Sequence, residues 1–261
     1  MSTLFPAVPL TDFLVTCVGL YFIIVIRYFI IAGLFYWALW KRKTQHVKLA
    51  TKDPSPRLVR SEIGWALLTS IIFTIPGAYM IEAWKHGGSL IYEDPNQYGW
   101  PYMLFSLFLL LFLHDTYFYW THRWMHRPKV FKIFHKVHHQ SLNPTPWAAF
   151  SFHPTEGFVE AIIIPLLVFV FPVHIGVLLF ALTAMTFFGV VNHCGFEIYP
   201  KSWMKGYFAK IMITPTHHNL HHKKFDHNFG LYFRFWDQLM GTDKWEPHPR
   251  FTSDEAKNGY V

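Results

Sequence analysis

Four apolar stretches, at roughly residues 13–40, 63–83, 100–120 and 158–191, set what this chain can fold into. Each reaches the ~20 residues that cross a bilayer as a helix. The fourth is too long for one span and is interrupted by Pro165 and by the Pro172, Val173, His174 step, so it predicts a helical hairpin. The composition agrees: 52% of residues are hydrophobic, 20% aromatic and only 15% charged, against ~25% charged in soluble domains. The expected fold is all-α, a multi-pass integral membrane protein. Its divisions are N-terminal membrane helices and loops over 1–99, a catalytic region over 100–245 and a tail over 246–261, together one structural domain.

Loop charge orients these spans. Seven Lys/Arg lie in 41–60, five in 123–136 and nine in 201–257, whereas Lys85 alone separates the second and third stretches. The positive-inside rule places the basic segments on the cytoplasmic side, and the N-terminus and residues 85–99 on the other. The net charge of +7 follows from this bias and is not gathered into a nucleic-acid footprint. Cys17 and Cys194 are the only cysteines, so no disulfide framework is indicated. The opening MSTLFPAVPLTD lacks a basic region, and the first stretch therefore reads as a retained anchor. Arg27, inside it, reads as lying near the cytoplasmic edge of a span shifted to residues 13–33.

Histidine is the second constraint. It makes up 17 of 261 residues, which gives one HxxHH per chain a chance expectation of roughly 0.07. The chain holds two, HKVHH at 135–139 and HNLHH at 218–222, together with HRWMH at 122–126. On a helix, positions i, i+3 and i+4 share a face, so each HxxHH is expected to present three imidazoles together. Such stripes make multidentate metal sites. With the topology above, the boxes and His193 meet on the cytoplasmic side.

The third stretch runs into HDTYFYWTHRWMH with no helix breaker before Pro128, so one helix is expected to carry His122 out of the membrane. Asp115 lies seven positions before His122 and eleven before His126, within about 20° of both around the helix, and reads as a carboxylate orienting a metal-bound imidazole. His114 falls off that face and reads as packing. Thr214 and Pro215 form a helix-start signal for the last box; His217 then points to the side, a neighbour and not a ligand. Asp226 is a further candidate to support the site. His46, His86, His174, His227 and His248 have no partner at ligand spacing. Nine histidines exceed the needs of one ion, and two metals are the natural count. Imidazole suits Zn, Cu, Fe and Ni alike; four or five imidazoles per ion fit iron better than zinc, which favours three or four ligands.

The strings DTYFYWTHRWMHRPKVFKIFHKVHH, PTPWAAFSFHPTEGF, NHCGFE, HHNLHH and DHNFGLYFRFWDQLMGT resemble the fatty acid hydroxylase and sterol desaturase superfamily, and within it the sterol C5-desaturase branch. The resemblance covers residues 100–245. It implies a non-haem di-iron enzyme that uses O2 and two externally supplied electrons to desaturate or hydroxylate a membrane lipid, a sterol first and a fatty acid or sphingoid base as the alternative. Carried over onto the boxes, the metal ligands are His122, His126, His135, His138, His139, His193, His218, His221 and His222, holding two Fe ions that Zn can replace in a purified sample. Some hydroxylases of the superfamily carry a full HxxxH at the third site, where this chain has His193 followed by Glu197. Either Glu197 ligates or the site runs one imidazole short. His153 and Glu156, in FHPTEGF, either support the site or cap the following helix.

Tyr119, Trp120, Trp147 and Phe150 either line a lipid path or serve as interfacial packing. No Gly-rich dinucleotide fingerprint is present, and HPTE at 153–156 is not the HPGG motif of a cytochrome b5 domain. Electrons are therefore expected from an external donor of the cytochrome b5 or ferredoxin type. The location implied is the endoplasmic reticulum of a eukaryote or the cytoplasmic membrane of a bacterium. A metal transporter is the alternative of a different class, but its site would sit near midspan with acidic partners, whereas these boxes sit at span ends.

Overall fold

The computed structural model describes residues 6–245, so the tail and His248 lie outside the described residues. In chain order the helices are α1 (Leu10–Tyr36), α2 (Pro56–Lys85), α3 (Gly99–Met125), α4 (Pro128–Phe131), α5 (Pro154–Leu167), α6 (Ile175–Asn192), α7 (Lys201–Lys205), α8 (Tyr207–Ile211), α9 (Pro215–Lys224) and α10 (Phe235–Leu239). Among the described residues, α1 with the wide turn that prolongs it to Lys41, α2, α3 and α6 are long and apolar enough to cross a membrane. Large apolar side chains point outward from them, Leu14, Val18 and Phe22 on α1 and Leu104, Phe105 and Phe108 on α3 among them. An apolar face of that extent is normal against lipid and not against water.

The predicted hairpin is present as α5 and α6. Its turn falls after Val168, and Pro165 is accommodated inside α5. Two short strands pin the tip: β2 (Ile91–Tyr92) runs parallel to β3 (Val173–His174), and Leu90 exchanges backbone hydrogen bonds with Val168 and Val173. The tip therefore sits beside the α2–α3 connection. At the opposite end β1 (Val47–Lys48) pairs antiparallel with β4 (Phe196–Glu197), joining the α1–α2 connection to the segment after α6. The core runs between these clips. Leu110, Ile164, Val168, Val177 and Ala181 pack together at one level, and Tyr28, Ala32, Ala66, Trp147 and Val190 at the other.

Local chemistry sets the helix starts. Ser55 caps α2 through Leu58 N–H, with Pro56 at the first helical position. Thr214 and His217 form a reciprocal capping box ahead of α9. α3 has 27 residues, about 40 Å at ~1.5 Å per residue, more than the ~30 Å hydrocarbon layer. Its C-terminal turn thus stands clear of the apolar level, as its sequence predicted.

Three expectations are corrected. Residues 135–139 do not continue a helix: after the single turn of α4 the chain passes through a series of turns into a 3-10 turn at His138–Gln140. Arg27 is not at a span edge but midway along α1, where it lines an internal cavity. Asp115 touches no imidazole. Its Oδ1 accepts from Leu231 N at 3.0 Å and Tyr232 N at 2.7 Å, so α3 holds the loop after α9 in place. The cause is competition: two backbone N–H groups from a loop without ladder partners reach the carboxylate first. Removing a buried acceptor leaves its donors bare at ~1–3 kcal/mol each. Asp115→Ala is accordingly expected to lower stability by about 2–4 kcal/mol, read as a lowered unfolding temperature in detergent with membrane insertion intact.

Candidate metal centre

The C-terminal ends of α3 and α6, the turns at 135–139 and the whole of α9 converge at the level of the β1–β4 clip. They bring nine imidazoles into two groups whose ligand nitrogens lie within 4.8 Å of one another. One contains His122, His126, His135, His139 and His221; the other contains His138, His193, His218 and His222. All are buried except His126, which is partly so. The expectation that each HxxHH turns all its histidines to one site is therefore corrected. In both boxes the i and i+4 imidazoles join one group and the i+3 imidazole crosses to the other. On α9 the physical reason is rotation, since neighbouring residues diverge by about 100° and His221 and His222 must part. In the 135–139 turns His138 and His139 part likewise.

Hydrogen bonds decide which nitrogen each ring presents. The Nδ1–H of His122 donates to Phe229 O at 2.8 Å, that of His135 to Glu156 Oε1 at 2.6 Å, that of His193 to Gly189 O at 2.7 Å and that of His221 to His227 O at 2.7 Å. His138 makes a longer bond of 3.4 Å to Ser151 O. With the proton held on Nδ1, each Nε2 turns inward as a lone pair. Those atoms nearly touch: His122 and His135 at 3.0 Å, His139 and His221 at 3.1 Å, His138 and His193 at 3.1 Å, His193 and His218 at 2.9 Å and His218 and His222 at 3.2 Å. His122 faces His135, and His138 faces His193, with no proton left between them. His126 Nε2 is buried without a partner. Lone pairs face each other in this way around a cation, and a set of neutral imidazoles is a fitting donor set for one.

Burial, reinforced by the neighbouring imidazoles, pushes the pKa values of His135, His138, His139, His218, His221 and His222 well below the ordinary range. Burial takes His193 down to about 4. At neutral pH these rings are uncharged and able to ligate.

The remaining sequence candidates lie around the centre. Glu156 supports His135 directly, and His153 caps α5 with its Nδ1 on Thr155. Glu197 belongs to neither group: its Oε2 accepts from Thr216 N and Oγ1 and its Oε1 from Tyr199 N. His217 is turned into the α9 cap, and its ring packs on Trp245. Asp226 is exposed and pairs with His227 and Lys244. The segment that supplies the Phe229 and His227 carbonyls was missed in sequence. It is shaped by Asp237, which accepts from Phe229 N, Gly230 N and Thr242 Oγ1. Gly230 is required there, because a Cβ would come within 2.5 Å of Phe233 O. Against the site lies a cavity of about 190 Å³ lined by His122, His135, His138, His193 and His218, and then by apolar side chains of α1, α2, α5 and α6.

The depressed histidines carry a pH sign. Below about pH 6.5 the unfolded chain takes up protons that the buried rings refuse, so stability falls as pH drops, by up to ~1.4 kcal/mol per pH unit for each ring. Chelator-treated protein is expected to unfold at a lower temperature at pH 5.5 than at pH 7.5; an equal or higher temperature would contradict the neutral-imidazole assignment.

Comparison with known proteins places this geometry. The fatty acid hydroxylase family profile matches residues 107–242. Lathosterol oxidase of Rattus norvegicus is 30% identical over 249 residues, 95% of this chain and 78% of that protein. The Delta(7)-sterol 5(6)-desaturase of Gibberella zeae is 30% identical over 217 residues, 83% of this chain and 64% of that protein. The Delta(7)-sterol 5(6)-desaturase of Aspergillus fumigatus is 33% identical over 216 residues, 74% of this chain and 65% of that protein. The chain thus spans somewhat under two thirds of these two fungal relatives. No solved structure matches. The matched segment begins within α3 and holds both imidazole groups, and the chain belongs to the fatty acid hydroxylase family.

Proposed function

We propose that this chain is a membrane-embedded, O2-dependent di-iron oxidoreductase that desaturates, or else hydroxylates, a C–H position of a sterol-class lipid. The observation that carries the reading is the pair of imidazole groups with facing Nε2 lone pairs at the closed end of an apolar cavity. The relatives named as lathosterol oxidase and Delta(7)-sterol 5(6)-desaturase support the sterol class and the desaturase outcome. The spacing of the nitrogens supports iron. Ligand atoms held ~2.1 Å from one ion are ~3.0 Å apart at right angles and ~3.4 Å apart in a tetrahedron. The 2.9–3.2 Å separations fit the right-angle edges of a five- or six-coordinate ion better than tetrahedral zinc.

When bound, the iron pair supplies the oxidising chemistry that breaks an unactivated C–H bond with O2 and two electrons from an outside donor. The balance for desaturation is one O2, two electrons and two protons, with two hydrogens leaving adjacent carbons as the double bond forms and two waters released. Hydroxylation instead leaves one oxygen in the product and releases one water. The chain's own part is to hold and to exclude. Glu156 and the carbonyls of Phe229, Gly189 and His227 keep the imidazole protons on Nδ1 and the lone pairs inward. Phe118, Phe150, Phe152 and Ile164 wall the cavity against water and present an apolar surface to a lipid. Trp147 packs on Tyr28 and Tyr36 beside that wall, whereas Tyr119 and Trp120 stack toward Trp236. A donor of the cytochrome b5 or ferredoxin type would meet the basic ends of the spans, in the endoplasmic reticulum of a eukaryote or the cytoplasmic membrane of a bacterium, with the imidazole groups facing the cytoplasm.

The split of the boxes makes a test possible. His126 belongs to one group only and His222 to the other only. Wild-type protein is expected to hold about two irons per chain. His126→Ala and His222→Ala are each expected to lose one of them and to lose all turnover of a Delta(7)-sterol with a reconstituted cytochrome b5-type donor. Metal content by inductively coupled plasma mass spectrometry reads the first and sterol product analysis the second. Protein that binds no metal, or a variant with full activity, would sink the proposal.

A further inference from the structure

Beyond the two imidazole groups, the polar side chains lining the cavity are Arg27, His114, Glu156, Glu160 and Thr186. Two of them are satisfied within the protein, and Glu156 is engaged through one oxygen only, its Oε2 being buried without a partner among the described residues. His114 Nδ1 meets Tyr232 Oη at 3.1 Å, Glu156 Oε1 holds His135, and Thr186 Oγ1 donates to Leu182 O at 3.1 Å. Glu160 Oε1 and Arg27 Nε are buried and have no hydrogen-bond partner among the described residues.

A carboxyl group in an apolar membrane cavity is costly unless something pairs with it. Nothing in the fold explains Glu160. Tyr117 Oη donates to Val159 O, and no ion pair joins Glu160 to Arg27 or to any other described residue. Its register is informative. Glu160 is one helical turn beyond Glu156 on α5, so the two carboxyls share a face with Cβ atoms ~5–6 Å apart, and Glu156 already touches His135. Glu160 therefore stands one turn from the candidate metal centre, on the path any cavity occupant must share.

We propose that Glu160 accepts a hydrogen bond from a hydroxyl group of the lipid substrate and so sets which C–H position faces the metal pair. This rests on the cavity's being the substrate site. The chemistry selects a lipid alcohol: a hydroxyl donates to the carboxyl oxygen, whereas a pure hydrocarbon leaves that oxygen bare. Glu160 is in this sense a specificity-determining residue, acting on the substrate's polar end and not on the bond that breaks.

The test is equilibrium binding to detergent-purified protein as isolated, without an electron donor, followed by tryptophan fluorescence. The probes are a 3-hydroxysterol, its 3-O-methyl ether and a long-chain fatty acid. Wild-type protein is expected to bind the alcohol up to about tenfold more tightly than the ether, the gain of one hydrogen bond. Glu160→Met should abolish that preference by weakening the alcohol alone, and Glu160→Gln, which keeps an acceptor, should retain most of it. A wild-type protein without preference would overturn the proposal, as would a Glu160→Met variant that weakens alcohol and ether equally. So would tightest binding of the fatty acid, lost in Arg27→Met. Should Glu160→Met fail to fold, Glu160→Asp takes its place: a reduced preference supports the proposal and an unchanged one overturns it. The readout needs no turnover, so a Glu160-dependent preference without sterol oxidation would count against the oxidase reading alone.

Discussion

Everything in this molecule is arranged around imidazole lone pairs that face one another at hydrogen-bond distance with no proton between them. His122 and His135 approach to 3.0 Å while each commits its Nδ1–H elsewhere, and His138 and His193 do so at 3.1 Å. Two acceptors held so close repel unless a cation lies among them. The site is thus a place where ion binding and folding are one equilibrium, and ion binding stabilises whatever holds the helix ends together. That dependence explains why acceptors are supplied by the α5 start, the α6 end and the 226–242 segment. Each holds a ring in the tautomer that keeps its lone pair inward.

The division of each HxxHH box follows from the same geometry. His218 and His222 are one turn apart and ligate together, whereas His221, rotated by about 100° from His222, enters the other group. In the turns at 135–139 the corresponding residue, His138, crosses in the opposite sense. Each box therefore contributes to both groups, and neither group can form without the backbone that builds the other. Two ions bound there would be kept at a fixed relation by covalent structure.

What was legible in the sequence is what depends on local chemistry. Apolar length announced α1, α2, α3 and α6; Pro172 marked the hairpin turn; Thr214 and Pro215 announced α9; and the three histidine boxes with His193 named the nine imidazoles that the structure gathers. What was not legible depends on who arrives from far away in the chain. Asp115 shares a helix face with His122, but it meets Leu231 and Tyr232, 116 and 117 residues downstream. Arg27 read as an edge residue because a helix alone does not reveal that a cavity lies beside it. Residues 135–139 have helical spacing, yet α4, opened by Pro128, lasts a single turn and the box is completed by contacts to α3, α9 and Ser151.

The position of the centre relative to the bilayer resolves a conflict in the chemistry. Nine imidazoles and their acceptors need a polar scaffold, which hydrocarbon does not offer, while a lipid C–H bond is found only where hydrocarbon is continuous. The chain meets both needs by placing the centre at the ends of α3 and α6, where Gly189 O accepts the His193 ring N–H in addition to its backbone N–H. The cavity runs from there between α1, α2, α5 and α6 into the apolar level. Asp237, bound to Phe229 N, Gly230 N and Thr242, folds the last segment across the polar end. The cavity lining thus passes from imidazoles to the apolar side chains of the spans.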